Sequence, residues 1–186
     1  VNEIKIDFED ADLSDDGEIR KLVEKVRGVF ANIDILVNCA GVFPVKLLSD
    51  STVEDFENCF SVNVKAAFVL CKEFSQGMIS KKWGRIVNIA SSGAYNGRKK
   101  TVVYRASKHA LLGLSRSLHS ELKEHNVRTF CVSPGSIKTP MGKSVIGQNY
   151  ETFLNPDEIA ELIVRLVSFD NEMISQEIQL SRMDQQ

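Results

Sequence analysis

The sequence predicts an α/β protein, a doubly wound parallel sheet with helices on both faces, and three observations predict it. Segments with helical spacing alternate with short strand-like runs along the 186 residues, the order that strand-helix-strand units require. Runs such as Ile35-Leu36-Val37 and Arg85-Ile86-Val87-Asn88-Ile89-Ala90 are continuous rather than alternating, the pattern of parallel strands covered on both sides. Small or polar loops follow these runs and a third one, at Asn38-Cys39-Ala40-Gly41, after Ala90 and at Pro134-Gly135. Ligands of such sheets bind outside the carboxyl ends of the strands.

Ile4, Ile6 and Phe8 alternate with Lys5, Asp7 and Glu9, which predicts a first strand with one wet face. Residues 17–31 put Ile19, Leu22, Val23, Val26 and Phe30 on one side of a helix. Ile35–Val37 reads as a central strand. Thr52 with Asp55 has N-cap spacing for a helix to about residue 81, carrying Val53, Phe56, Phe60, Val64, Phe68 and Phe74. Gly84 ends it, and residues 85–90 form the next strand. Residues 104–124 align Leu111, Leu114, Leu118 and Leu122. Val127–Val132 is a strand that stops at Pro134-Gly135. Asn155-Pro156-Asp157-Glu158 opens a last helix to about Val167, and Ile178 with Leu180 marks a final short strand. With no internal repeat, low-complexity tract or Pro/Gly linker, residues 1–186 read as a single domain.

The composition is ordinary, 43% hydrophobic and 26% charged with a formal charge of −2, so no global field points to nucleic acid or to an anionic membrane. Arg98-Lys99-Lys100 reads as a solvated loop. No apolar run approaches the roughly 20 residues of a membrane helix. Cys39, Cys59, Cys71 and Cys131 form no C-x-x-C pair and read as reduced core or near-core thiols of a cytoplasmic protein. His109, His119 and His125 lack metal-ligand spacing and read as solvated helix residues, so no metal is expected.

The chemistry centres on Tyr104-Arg105-Ala106-Ser107-Lys108. Tyr and Lys four apart share a helix face, and a cation there favours the phenolate, making the Tyr a better proton donor and acceptor near neutral pH. Tyr95 and Lys99 have the same spacing, but they bracket an Asn-Gly turn. Tyr104 instead opens a long helix, and Ser91 stands thirteen residues before it at the end of a strand.

In order and at compatible distances, these motifs resemble the classical short-chain dehydrogenase/reductase family from about residue 4 to the C-terminus. Asn38-Cys39-Ala40-Gly41 resembles the family's Asn-Asn-Ala-Gly motif, with Cys39 in place of the second Asn and one polar contact fewer. Asn63, Ser91, Tyr104 and Lys108 match its catalytic set. The resemblance implies a Rossmann-type fold binding NADP or NAD, with NADP slightly favoured. Asp12 and Leu13 would meet the adenine. Asn38, Ala40, Gly41, Tyr104, Lys108, Pro134, Gly135, Ile137 and Thr139 would bind the rest. Tyr104 would exchange the proton, Ser91 would hold the substrate oxygen, and Lys108 would hold the ribose and lower the Tyr104 pKa. Asn63 would interrupt its helix and anchor a water. The hydride would come from the cofactor.

The expected partner is a small carbonyl or secondary alcohol substrate, of 3-oxoacyl or small hydroxy-acid type. The short stretch from Thr139 to Pro156 leaves little room for an elaborate lid. A homodimer or homotetramer is expected, with Phe60, Val64, Phe68 and Cys71 facing the sheet and Val69 and Leu112 facing a partner. The first glycine of the chain is Gly17, and no Gly-rich turn precedes it to cradle a pyrophosphate. An upstream segment is therefore expected to supply that turn and two strands between Ile4–Phe8 and Ile35–Val37. The competing reading is a non-catalytic or structural binding protein on the same fold, lacking a complete cofactor site.

Overall fold

The computed structural model describes residues 6–145, 147–172 and 174–183. Its frame is a sheet of four parallel strands in the order β1 (Ile35–Asn38), β2 (Gly84–Ile89), β3 (Val127–Pro134), β4 (Glu177–Leu180). The register pairs Asn38 with Asn88, Asn88 with Cys131, and Pro134 with Leu180. All four carboxyl ends therefore reach one rim. The connections carry α1 (Asp16–Val29), which precedes β1, then α2 (Val53–Phe60), α3 (Ala66–Lys81), α4 (Val102–Leu122) and α5 (Pro156–Ser168).

Both faces of the sheet are covered. On one, Leu70, Phe74 and Met78 of α3 and Leu111 and Leu122 of α4 pack over Leu36, Ile86 and Cys131, with Ile19 and Val23 of α1 stacked outside α3. On the other, Leu162, Ile163 and Leu166 of α5 cover Val87, Phe130, Val132 and Ile178. Burial of such aliphatic side chains, worth about 1.5–3 kcal/mol each, is what fixes the register.

The helix ends follow local chemistry. Asp15 caps α1 by accepting from the amides of Gly17 and Glu18. Thr52 and Asp55 form a complete capping box on α2, and Asn155 caps α5 with Pro156 in its first turn. The expected single helix over 53–81 is instead α2 and α3 joined by a π turn at Ser61–Lys65. Asn63 sits within that turn, so the interruption expected of it is present.

Several expectations are corrected. Residues 1–5 of the first expected strand lie outside the described residues, and residues 6–8 are not strand, with Phe8 89% exposed. β1 is not a central strand among the described residues. Its free edge has no partner there, and Ile35 and Val37 are 43% and 44% exposed because α5 does not extend over them. The helix faces also differ from expectation. Phe68 points outward, 49% exposed, while Leu112 is buried at 4% and Val69 packs toward α1. Cys59, Cys71 and Cys131 are buried, but Cys39 is exposed on the loop after β1, and all four are free thiols. His119 is half-buried and its Nδ1 has no partner among the described residues, so it is not a fully solvated histidine. No helix among the described residues is long and apolar enough to cross a membrane.

At the opposite, amino end of the sheet, Arg85 is fully buried. Its guanidinium donates to the carbonyls of Gly84 at 2.8 Å, Asn126 at 3.3 Å and Phe169 at 2.9 Å, and pairs with Asp170 at 2.8 Å. It also stacks 4.3 Å over Trp83. This one cation ties β2 to the turn before β3 and to the end of α5. Arg85→Ala is expected to lower unfolding stability in urea by on the order of 3 kcal/mol, since several charge-assisted hydrogen bonds and a buried volume are lost. Asp170→Asn, at a side chain 59% exposed, is expected to cost under about 1 kcal/mol.

Candidate active site

A cleft of about 570 Å³ opens at the carboxyl rim. Its floor is Ile89 and Ala90. One wall is the loop at Gly41, Phe43 and Val45, another runs from Ser91 to Lys108, and the segment from Pro134 to Gln148 covers it. Of the residues singled out from sequence, Gly41, Ser91, Tyr104, Lys108, Pro134, Gly135, Ile137 and Thr139 meet here. Leu13, Asn38, Ala40 and Asn63 line a smaller cavity of about 170 Å³, and Cys39 lines both. Asp12 lines neither. Its carboxylate accepts from the amide and hydroxyl of Ser14 at 2.8 Å each, which holds it below the usual carboxylate range.

Ser91 ends the loop from β2 in extended conformation, and its hydroxyl accepts from the Gly93 amide at 3.0 Å. A side chain at position 93 would press on that hydroxyl at 3.3 Å and on Arg105 at 3.4 Å, so glycine is what leaves Ser91 free to face the cleft. Tyr104 lies in the first turn of α4, with Phe43 edge-on to its ring at 4.5 Å. Phe43 carries no sequence signal beyond its closeness to Gly41.

Asn63 is buried at 1% and its side chain is fully engaged. It accepts from the Val42 amide at 2.8 Å and donates to the Val42 carbonyl at 3.0 Å and to the Ser107 hydroxyl at 2.9 Å. Ser107 in turn donates to the Tyr104 carbonyl at 2.7 Å. Asn63 thus fastens the loop after β1 to the turn of α4 that bears Tyr104 and Lys108. A second chain lies beneath it. Asn38 donates to Asn88 at 2.8 Å, Asn88 to Ser115 at 2.9 Å, and Ser115 to the Leu111 carbonyl at 2.8 Å. Ser107, Asn88 and Ser115 were missed from sequence because a polar residue inside an apolar run carries no mark of its distant partner.

Lys108 is 5% exposed, and its ammonium donates to the Ile89 carbonyl at 2.8 Å. Burial pushes its pKa down to about 8. In this structure the Tyr104 pKa does not lie below its usual value. The phenol stands above its usual value, raised chiefly by burial and drawn back by a hydrogen bond with Ser91. Lys108 Nζ is turned to Ile89, 5.9 Å from the centre of the phenol ring.

The cover of the cleft is braced from two sides. Thr139 accepts from the Gly142 amide at 3.1 Å, and Ser136 donates to Gln148 at 3.0 Å. Arg182, beyond β4, donates to Gln148 at 3.2 Å and to Thr152 at 2.7 Å.

The donors at the cleft floor fit a sugar-bearing cofactor. Lys108 has one protein acceptor and faces the cleft, leaving N–H groups for vicinal hydroxyls. At Gly41 a methyl group would stand 3.6 Å from the Lys108 Nζ and 3.3 Å from Asn63, so the backbone there lies bare. A parallel α/β sheet with such a rim is the Rossmann-type class of nucleotide-binding domain.

Comparison with known proteins sharpens this. The family model for short chain dehydrogenases matches residues 1–149, and the chain belongs to that oxidoreductase family. It is 31% identical to a 3-oxoacyl-(acyl-carrier-protein) reductase of Thermotoga maritima over 183 residues, 94% of this chain and 74% of that protein. Among solved structures, a 4-hydroxyisoleucine dehydrogenase complexed with NADH superimposes with a TM-score of 0.84 at 27% identity, over 92% of this chain and 76% of that one. A metagenomic short-chain oxidoreductase in complex with NADP gives 0.77 at 28% identity, over 92% and 72%. The chain spans about two thirds of the length of the curated relatives it matches, from 53% to 74%.

The lowered pKa of Lys108 has a consequence for stability. Between about pH 8 and the usual 10.5, the unfolded chain binds a proton at this residue that the folded chain does not, so stability rises with pH across that window. Below pH 8 both states are protonated and the folded state bears the full cost of the buried ammonium, about 3 kcal/mol. Lys108→Met is therefore expected to melt higher than the parent at pH 7. The gain shrinks toward pH 10.5, as calorimetric melts across that range will show.

Proposed function

We propose that the protein reduces a carbonyl, or oxidises the corresponding secondary alcohol, with NADP or NAD. The observation that carries this is the convergence of the Ser91 hydroxyl, the Tyr104 phenol and the Lys108 ammonium at the floor of one cleft. When bound, the nicotinamide supplies or receives the hydride. The residues do the rest. Ser91 donates a hydrogen bond to the substrate oxygen and orients it beside Tyr104. The phenol, held above its usual pKa by burial, is protonated at neutral pH and donates to the oxygen as negative charge develops there. Lys108 holds the ribose hydroxyls, and Gly41 and Pro134 through Thr139 bound the ring site. Asn63 positions these groups through Val42 and Ser107. The names of the 3-oxoacyl reductase and the 4-hydroxyisoleucine dehydrogenase support a substrate of 3-oxoacyl or small hydroxy-acid type.

Tyr104→Phe is expected to cut turnover about 10²–10⁴-fold with an unchanged circular dichroism spectrum. Tyr95→Phe is the control. Tyr95 hydrogen-bonds Glu177 outside the cleft at 3.3 Å, and its loss is expected to leave turnover near the parent value. Parent-like rates in Tyr104→Phe would remove this residue from the mechanism.

The exposed apolar side chains of α2, α3 and α4 support self-association as a homodimer or homotetramer. Val53, Phe56, Phe68 and Val102 are exposed by 73%, 45%, 49% and 48%, more than a solitary surface usually leaves uncovered. Light scattering at micromolar concentration is expected to give a dimer or tetramer in the parent and a smaller species in Phe56→Asp/Phe68→Asp.

A further inference from the structure

We propose that the loop 98–101 is an anion-recognition element of the cleft, so that the substrate carries a carboxylate or phosphate at the end remote from its reacting carbonyl. This rests on the oxidoreductase reading and deepens it. The chain as a whole has a formal charge of −2, yet the cleft is lined by Arg98, Lys99, Lys100, Arg105 and Lys108 and by no Asp or Glu among the described residues. Two of these cations have structural work. Lys108 holds the Ile89 carbonyl, and Arg105 donates to Thr101 at 2.9 Å and to the Asn96 carbonyl at 2.8 Å.

Lys99 and Lys100 have none. Neither ammonium makes an ion pair or hydrogen bond among the described residues. Lys46, Lys65, Lys81 and Lys138 each pair with an acid; other lysines on the surface are as free as Lys99 and Lys100, and what sets these two apart is their place on the cleft wall. Lys100 also stands at φ 67°, a left-handed conformation that favours glycine or asparagine. The backbone is fixed rather than loose. The Lys100 carbonyl accepts from the Lys46 amide on the facing wall at 2.9 Å, and Thr101 donates its hydroxyl to the Arg98 carbonyl at 2.8 Å. Because Arg105 ties Thr101 and Asn96 to the turn of α4 next to Tyr104, the backbone that carries the two free lysines is held in a set relation to that turn. Cations in a cleft without counter-charges raise the local concentration of anions and steer them inward.

The test compares a short 3-oxo carboxylate, its methyl ester and a phosphate-bearing oxo compound, each with NADPH and NADH, in the parent and in Lys99→Gln/Lys100→Gln. Both lysines are exposed, and melting curves check that the variant folds. The expected result is a preference for an anionic compound over the ester in kcat/KM. That preference should fall roughly tenfold in the double variant through KM, and should weaken with added salt in the parent alone. The larger lysine dependence, for carboxylate or for phosphate, identifies the anion. An anion-to-ester ratio that is the same in parent and variant overturns the proposal. Titration calorimetry with the same anionic compounds separates this from failure of the oxidoreductase reading. If nothing is turned over but an anion binds the parent and not the variant, the anion site stands and the reaction assigned to it falls. If no anionic compound binds the parent, or binding is equal in the variant, the anion site falls.

Discussion

Parallel pairing of β1, β2 and β3 imposes the constraint on which the site depends. It brings every carboxyl end to one rim, and so brings the polar residues that end those strands together in a place with little water. Asn38 and Asn88 are register partners, and each carries a side-chain amide into that region. Buried amides without partners would cost about 1–3 kcal/mol each. Here Asn38 donates to Asn88, and Asn88 to Ser115 on α4. Satisfying the strand ends therefore fixes where α4 lies over the sheet, and with it the Tyr104 and Lys108 that α4 carries.

The π turn at Ser61–Lys65 serves the same end from the other side. An uninterrupted helix through 53–81 would point Asn63 elsewhere. The widened turn lets its amide span the loop at Val42 and the helix at Ser107, residues 21 and 44 positions away in sequence. The floor of the cleft is thus gripped by two amides, Asn63 and Asn88. The cations and the phenol above them can be held in a low-dielectric setting without relaxing toward one another.

The sequence made visible what depends on local order. The apolar runs that became β2 and β3, the capping residues Thr52 and Asn155, and the Tyr104–Lys108 spacing were all legible, because strand burial, N-cap chemistry and helical period act over a few residues. What depended on contacts between distant segments was not. Val69 and Leu112 were assigned to the wrong face, because apolar residues lie around more than one stripe of those helices and only α1 and the sheet decide between them. β1 read as central from its continuous apolar run, and among the described residues it stands at an edge of the sheet. The bond from the Asn38 amide to Asn88, fifty residues on, could not be read from either segment alone. The bond from the Lys108 ammonium to the Ile89 carbonyl likewise joins segments nineteen residues apart and carries no mark in sequence.

Arg182 links the cover of the cleft to the strand beside it. β4 pairs with β3 up to Leu180, and the Leu180 carbonyl accepts from the Gly135 amide at 2.8 Å, where the cover begins. Two residues later Arg182 grips the far part of that cover at Gln148 and Thr152. The segment is thus hinged and latched by the same stretch of chain. Swinging it open breaks two charge-assisted hydrogen bonds, together about 3–6 kcal/mol, at a point that the reacting atoms never touch. For the oxidoreductase proposed above, exit of a ligand from the cleft would then have its own barrier, set at the end of the sheet and apart from Ser91, Tyr104 and Lys108.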